Sequence, residues 1–177
     1  MSRKIPEIIT KEEYTKLCEY IQKLKPCNYK EYLLAICLGF EAGLRISEIV
    51  GYKDKVPILE AAQFNFERNN IMIKSGKGNK DRIVPLPKSI KPSHLSILPL
   101  KLKRRSLQHF IEKHSQVAIG KKIHFHTLRH GFGTHLINSG IQLTTAQNLM
   151  GHSNISTTSI YVHTNPQKAV EQARDVF

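Results

Sequence analysis

The side chains whose types and spacing could do chemistry sit in four short stretches of the sequence. "HFHTLRHGFGTH" sets His126 and His130 four residues apart, and His126 and Arg129 three apart, on a segment of helical period. Two histidines at that spacing suggest zinc, but the metalloprotease pattern needs a glutamate directly after the first histidine, where Thr127 stands. No acidic or cysteine ligand lies close by in the sequence, so no metal site is expected. His126 and Arg129 instead put a hydrogen-bond donor and a bidentate cation on one helical face, which suits a phosphate. "GLRISE" places Arg45 directly after an apolar run. An arginine there is costly unless paired, and Glu48 is its potential structural partner. "SGKGNKDR" carries Lys77 between two glycines, as a charged hairpin tip would; it lacks the GK[ST] of a phosphate-binding loop. "GHSNISTTSIYVH" holds His152 and, nine residues later, Tyr161, whose type alone fits a core, a surface or a reactive tyrosine.

Elements that must position these residues follow from the periodicity. "TKEEYTKLCEYIQKL" opens with a capping box, Thr10 and Glu13, and puts Tyr14, Leu17, Cys18, Ile21 and Leu24 on one helical face. "KEYLLAICLGFEAG" is apolar nearly all round, which predicts a buried helix ended by Gly43. "GLRISEIVGYK" reads as a loop leading into a short helix. The period then changes. "AAQFNFERNNIMIKSGKGNKDRIVPLP" alternates through Phe64 and Phe66, Ile71 and Ile73, and Ile83 and Leu86, with turns at Asn69-Asn70 and at "GKGNK". That predicts a small three-stranded antiparallel sheet. "KSIKPSHLSILPLKL" reads as an irregular connector. Helical period returns with Leu107, Phe110, Ile111 and His114, then with Leu128, Phe132 and Leu136 up to Gly140. Short helices follow, one to Leu149, one carrying Tyr161 and one begun by Pro166. The fold class is mainly α with one small β-sheet. "QLTTAQNLMGHSNISTTSIY" taken alone also suits a DNA-binding helix-turn-helix with Gly151 in its turn, although that reading leaves the upstream Arg and Lys motifs unused.

Bulk properties narrow the partners. In 177 residues, 27 Lys+Arg face 14 Asp+Glu, a formal net charge of +13, and the basic residues are dispersed through patterned segments. A pI near 9.8 points to nucleic acid as partner. Cys18, Cys27 and Cys37 are odd in number and lack CxxC spacing, so they read as reduced thiols. No apolar run is long enough for a membrane span and no signal peptide opens the sequence, so membrane attachment is not expected and the expected location is cytoplasmic, with the nucleoid.

Taken together and in order, "AGLRISEI", "KSGKGNKDRIVPLP", "HTLRHGFGTHL" and "LMGHSNISTTSIYVH" resemble the tyrosine recombinase (integrase) family, in its Xer-like and archaeal or plasmid branches. The resemblance runs from Ile5 to about Ala173. It implies the mainly helical catalytic-domain fold with a small sheet, site-specific recombination on double-stranded DNA, and self-assembly there as a dimer on one site and a tetramer in synapsis. It implies neither metal nor other cofactor. It places the catalytic roles on Arg45, Lys77, His126, Arg129 and His152, the nucleophile on Tyr161, and supporting roles on Glu48 and His130. A type IB topoisomerase shares this chemistry and is the alternative, with the helix-turn-helix regulator as the non-catalytic one. The sequence departs from the family in starting where the catalytic domain starts, so a single catalytic domain over residues 1–177 is expected, with the family's N-terminal core-binding domain absent from this chain, which is either a fragment of a longer protein or a natural single-domain member. The resemblance further implies a C-terminal stripe of Ala169, Val170, Ala173, Val176 and Phe177 that docks on a neighbouring subunit. "GYKDKVPILEAAQFN" is longer than the usual link between the first arginine and the sheet.

Overall fold

The computed structural model describes residues 8–53, 55–74, 81–151 and 166–177. Thr10 starts the first helix, α1 (Lys11–Leu24), through the capping box its sequence requires. The Glu13 N–H donates to the Thr10 hydroxyl at 3.2 Å, and the Thr10 N–H to the Glu13 carboxylate at 3.1 Å. Leu17 and Ile21 are its buried positions, whereas Leu24, at the end of the stripe, is half exposed. The second helix, α2 (Tyr29–Glu41), is the apolar one, with every residue from Leu34 to Phe40 buried. A short α3 (Ile46–Val50) follows.

The sheet has the expected order. β1 (Phe64–Asn65), β2 (Asn70–Ile73) and β3 (Arg82–Pro85) pair as antiparallel neighbours, with Ile71 opposite Val84 and Ile73 opposite Arg82. One detail differs from the sequence reading. On β3 the residue facing the main core is Val84, while Ile83 packs on a second, smaller cluster. The strand is covered on both faces, so alternation there separates two apolar environments and not core from solvent. The hairpin tip with Lys77 lies outside the described residues, as does the short helix expected around Tyr161. The proline-bearing connector contains a 3-10 turn over Pro92–Ile97.

Three further helices, α4 (Arg104–Ile119), α5 (Phe125–Asn138) and α6 (Leu143–Met150), bring in the positions the period selected. Leu107, Phe110, Ile111 and His114 are buried on α4, and Leu128, Phe132 and Leu136 on α5. The last helix, α7 (Pro166–Arg174), finds cover for its stripe within this chain. Ala169, Val170 and Ala173 are buried against Phe132, Leu136, Leu149 and Met150. Phe177 stacks on Phe132 with centroids 5.7 Å apart and meets Phe40 edge-on at 5.6 Å. A marginal helix must cover its apolar face somewhere, and the hollow between α5, α6 and β3 is the nearest cover. Among the described residues, no helix is long and apolar enough to cross a membrane.

Candidate active site

Gly43 begins the site. It follows the end of α2 with φ +66°, and a Cβ there would stand 2.3 Å from Cδ1 of Phe132, so only glycine fits the turn. Two residues on, Arg45 caps α3. Its backbone N–H donates to Glu48 Oε2 at 2.7 Å and its guanidinium Nη1 to Glu48 Oε1 at 2.9 Å. The pair read from "GLRISE" therefore exists, but it is not a closed pair. Arg82, at the start of β3, donates to the same carboxylate through two nitrogens, at 2.8 and 3.0 Å. Glu48 is thus held by both arginines. Burial pushes its carboxyl up, but the hydrogen bond and charge of Arg82, together with the backbone N–H and charge of Arg45, leave it below the usual carboxylate range.

From the other side comes Arg129 on α5, the largest fully buried side chain described, at 1% exposure. Its Nη1 donates to the carbonyl of Gly43 at 2.5 Å and its Nη2 to the carbonyl of Met150. Its Nε has no partner among the described residues. Burial lowers the pKa of this guanidinium to about 9, and the charges of Arg45 and Arg82 add to the effect while Glu48 opposes it. It stays charged at neutral pH, in a place that disfavours the charge.

The three arginines meet at one structural feature, the C-terminal end of α6. Arg82 Nε donates to the carbonyl of Leu149 at 2.8 Å, Arg129 to that of Met150, and Arg45 Nη2 to that of Gly151 at 2.7 Å. The last carbonyls of a helix lack intrahelical partners and carry the negative end of its dipole, so they are ready acceptors for guanidinium groups. Gly151 ends the helix at φ +63°, and a Cβ there would lie 2.9 Å from Cδ of Arg82. Arg45 and Arg82 share one carboxylate and Arg129 bonds only carbonyls, so among the described residues the cluster carries more cation than anion. Arg45 is its outward member, with 34% of its side chain exposed, against 10% for Arg82. A phosphodiester resting on Arg45 would supply the missing negative charge, and guanidinium forks suit its oxygens.

The structure thus brings Arg45, Glu48 and Arg129 together. His126 is exposed on α5 one turn before Arg129, and its ring meets that of half-buried His130 edge-to-face at 4.3 Å. Lys77, His152 and Tyr161 lie outside the described residues, although β2 and β3 flank Lys77 in the chain and Gly151 directly precedes His152. Arg82 was missed by the sequence reading. A signal for it existed: it stands two residues before buried Val84, in phase with the core side of a strand, where a charged residue needs a partner.

The phage integrase family model matches residues 7–98 and 92–168. A tyrosine recombinase of Pseudothermotoga lettingae is 34% identical over 181 residues, covering 94% of this chain and 59% of that protein. Tyrosine recombinase XerA of Thermococcus kodakarensis is 32% identical over 193 residues, covering 97% of this chain and 64% of that one. The chain therefore spans about three fifths of the length of these curated relatives. Among solved structures, the integrase from mycobacterium phage Brujita superposes with a TM-score of 0.73 at 22% identity, over 100% of this chain and 60% of that one, a likeness of fold. Shared sequence along nearly the whole length and a shared fold lead to one statement: the chain belongs to the phage integrase family and has the fold of a tyrosine recombinase catalytic domain.

Proposed function

We propose that this chain is a site-specific DNA recombinase that cuts and rejoins strands through Tyr161. The observation that carries the reading is the convergence of Arg45 and Arg129, from motifs far apart in sequence, on neighbouring carbonyls in a cluster short of negative charge. Such a cluster supports a phosphate ligand more than a purely structural role, for which one arginine per carboxylate would suffice.

In this mechanism the Tyr161 hydroxyl oxygen attacks the scissile phosphorus and the bond from phosphorus to the 5′-oxygen breaks. A 3′-phosphotyrosyl link and a 5′-hydroxyl result. A free tyrosine ionises near pH ~10, so the attack needs help at neutral pH. His126 takes the tyrosine proton and Lys77 protonates the departing 5′-oxygen. Arg45 and Arg129 offset the charge that builds on the non-bridging oxygens, and His152 adds a hydrogen bond there. These groups do what metal ions do in other phosphoryl-transfer sites, so the reaction needs no metal and no cofactor. The phosphotyrosyl link keeps the bond energy, so a 5′-hydroxyl of a second strand can reverse the step without ATP. Double-stranded DNA is the substrate, and two sites each carrying a dimer form the tetrameric synapse.

The test is a pool of nicked duplexes randomised around the nick, incubated with the chain in EDTA and resolved in SDS. A covalent adduct on the 3′ side is expected, and Tyr161→Phe removes it while duplex affinity stays within a few-fold. DNA binding without any adduct points instead to the helix-turn-helix regulator. Adducts accompanied by supercoil relaxation, with no pairing of sites, point to the topoisomerase. Restoration of activity by Mg²⁺ or Zn²⁺ after EDTA treatment contradicts the metal-free mechanism.

A further inference from the structure

Arg82 differs from the other two arginines in having little freedom left. Nε serves the carbonyl of Leu149, and both terminal nitrogens serve the two oxygens of Glu48. With 10% of its side chain exposed, it cannot hold this position and also embrace a phosphate. Through these contacts it joins three pieces of the site. It stands on the strand that leaves the Lys77 hairpin, it grips the carboxylate that aims Arg45, and it fastens the last turn of α6, beyond which the chain runs to His152 and Tyr161.

We propose that Arg82 is a positioning residue for DNA cleavage: it fixes the Glu48 carboxylate so that the Arg45 guanidinium is aimed at the scissile phosphate. This rests on the proposed recombinase reading. The physical argument is geometric. Glu48 holds Arg45 by two contacts, one to the main chain and one to the guanidinium. Without Arg82, half of the carboxylate's hydrogen bonds from arginine disappear, and it is free to turn about its own side chain. Arg45 then keeps its charge but loses its direction. A lysine at position 82 would not restore it, because one ammonium nitrogen cannot make two parallel bonds to the carboxylate and a third to the Leu149 carbonyl in a planar fork.

The experiment uses a duplex recovered from the covalent adducts of the unmodified chain, and compares single-turnover adduct formation by the unmodified chain, Arg82→Gln, Arg82→Lys and Arg45→Ala. A misplacement of about 1 Å at a reacting centre costs on the order of 100-fold in rate, and that loss is expected for both Arg82 variants with duplex affinity little changed. The decisive arm replaces the scissile phosphate by a neutral methylphosphonate, which has less negative charge for Arg45 to offset. If Arg82 acts through Arg45, the deficits of the Arg82 variants and of Arg45→Ala all shrink on this substrate. For the same reason Arg82→Gln adds less than about 3-fold to the loss in Arg45→Ala, as residues acting as a unit are non-additive. Equal deficits on both substrates, with full additivity, would mean that Arg82 merely supports the fold and would overturn the proposal. So would cleavage by both Arg82 variants at the unmodified rate. Should Arg82→Gln fail to fold, Arg82→Lys, which keeps the charge, carries the same comparison. An unmodified chain that yields no adduct from the randomised pool removes the recombinase reading and this inference with it, an outcome distinct from adducts that ignore Arg82.

Discussion

Two clusters of polar side chains are set into this fold, and they obey opposite rules. In the first, the Tyr14 hydroxyl on α1 donates to Glu41 Oε1 at 2.6 Å, the Ser89 hydroxyl donates to the other oxygen of Glu41 at 3.4 Å, and Cys37 Sγ meets Ser89 Oγ at 3.4 Å. One carboxylate is served by neutral hydroxyls. In the second, one carboxylate and the end of a helix are surrounded by three guanidinium groups. The first cluster holds its phenol and its thiols in their protonated forms. Burial pushes the Tyr14 phenol far above its ordinary value, and Cys37, Cys18 and Glu41 add to this. A tyrosine in such surroundings is a structural donor and a poor nucleophile. The second cluster would favour an ionised tyrosine or a phosphate brought to it. Cavity size misleads here. The larger cleft, about 650 Å³, opens beside Tyr14, Cys37 and Glu41, while a smaller one of about 510 Å³ includes Arg82 and Leu149. The sign of the unbalanced charge is the better guide to the chemistry.

The sharpest way to break this contrast is Glu48→Gln. The substitution keeps the shape and removes the only carboxylate that Arg45 and Arg82 are shown to share. Removing one partner of a buried ion pair typically costs about 3–5 kcal/mol, because the remaining charge is left unpaired. Urea unfolding at pH 7 should show a loss of that size, and a loss below about 1 kcal/mol would mean that the arginines need no counter-charge. The pH dependence follows from the lowered Glu48 value. A carboxyl depressed on folding stabilises above its unfolded pKa of about 4.3, and this contribution is lost as pH falls through the folded value. The gap between the unmodified chain and Glu48→Gln should therefore be full at pH 7 and narrow as pH falls below about 4.3 towards the lower folded value.

Adding an anion should act in the opposite direction. The arginine cluster has a partly exposed member in Arg45 and, in Arg129, a buried guanidinium without a carboxylate bonded to it among the described residues, so sulfate or phosphate should bind the folded state there. A ligand at ten times its Kd stabilises by about 1.4 kcal/mol, and the melting temperature should rise accordingly over a sodium chloride control of equal ionic strength. Arg45→Ala should lose this response and Tyr14→Phe should keep it. A response that survives Arg45→Ala would place the anion elsewhere on a strongly basic surface.

How much of this could be read from the sequence depends on the range of the interactions. The capping box at Thr10 and Glu13 and the Arg45–Glu48 pair are local, set by spacings of three residues, and both formed as the spacing implies. The burial of α2 followed from its composition alone. Arg82 escaped because its partners lie on α3 and α6, and because all three arginines are anchored at the end of α6 solely by main-chain carbonyls, which no pattern of side chains reveals. Arg129 shares a helix with His126, yet the two part company: one side chain is buried and the other exposed. A spacing of three residues separates directions by about 60° around a helix, enough to put one inside and one out at the edge of a face. On α7 the stripe stated that it needed cover and left the source of the cover open.

The smallest effect is expected at the neutral cluster. Tyr14→Phe deletes the hydroxyl that donates to Glu41 but keeps the ring, which stacks on Phe40 with centroids 4.2 Å apart and planes 18° from parallel. Packing is therefore preserved, and the Glu41 carboxylate, half-buried at the end of α2, keeps Ser89 and can turn to water. The loss should be near the usual net worth of one hydrogen bond, about 1 kcal/mol, or roughly a third of that for Glu48→Gln. Adduct formation on the recovered duplex should be unaffected, because Tyr14 has no part in the arginine cluster. The measurement is a paired urea titration of the two variants, followed by the SDS adduct assay on Tyr14→Phe. If that variant were as destabilised as Glu48→Gln, the neutral cluster would be as dependent on its charge partners as the arginine cluster is. If it lost the adduct while remaining folded, Tyr14 would have to be counted among the groups that act on DNA.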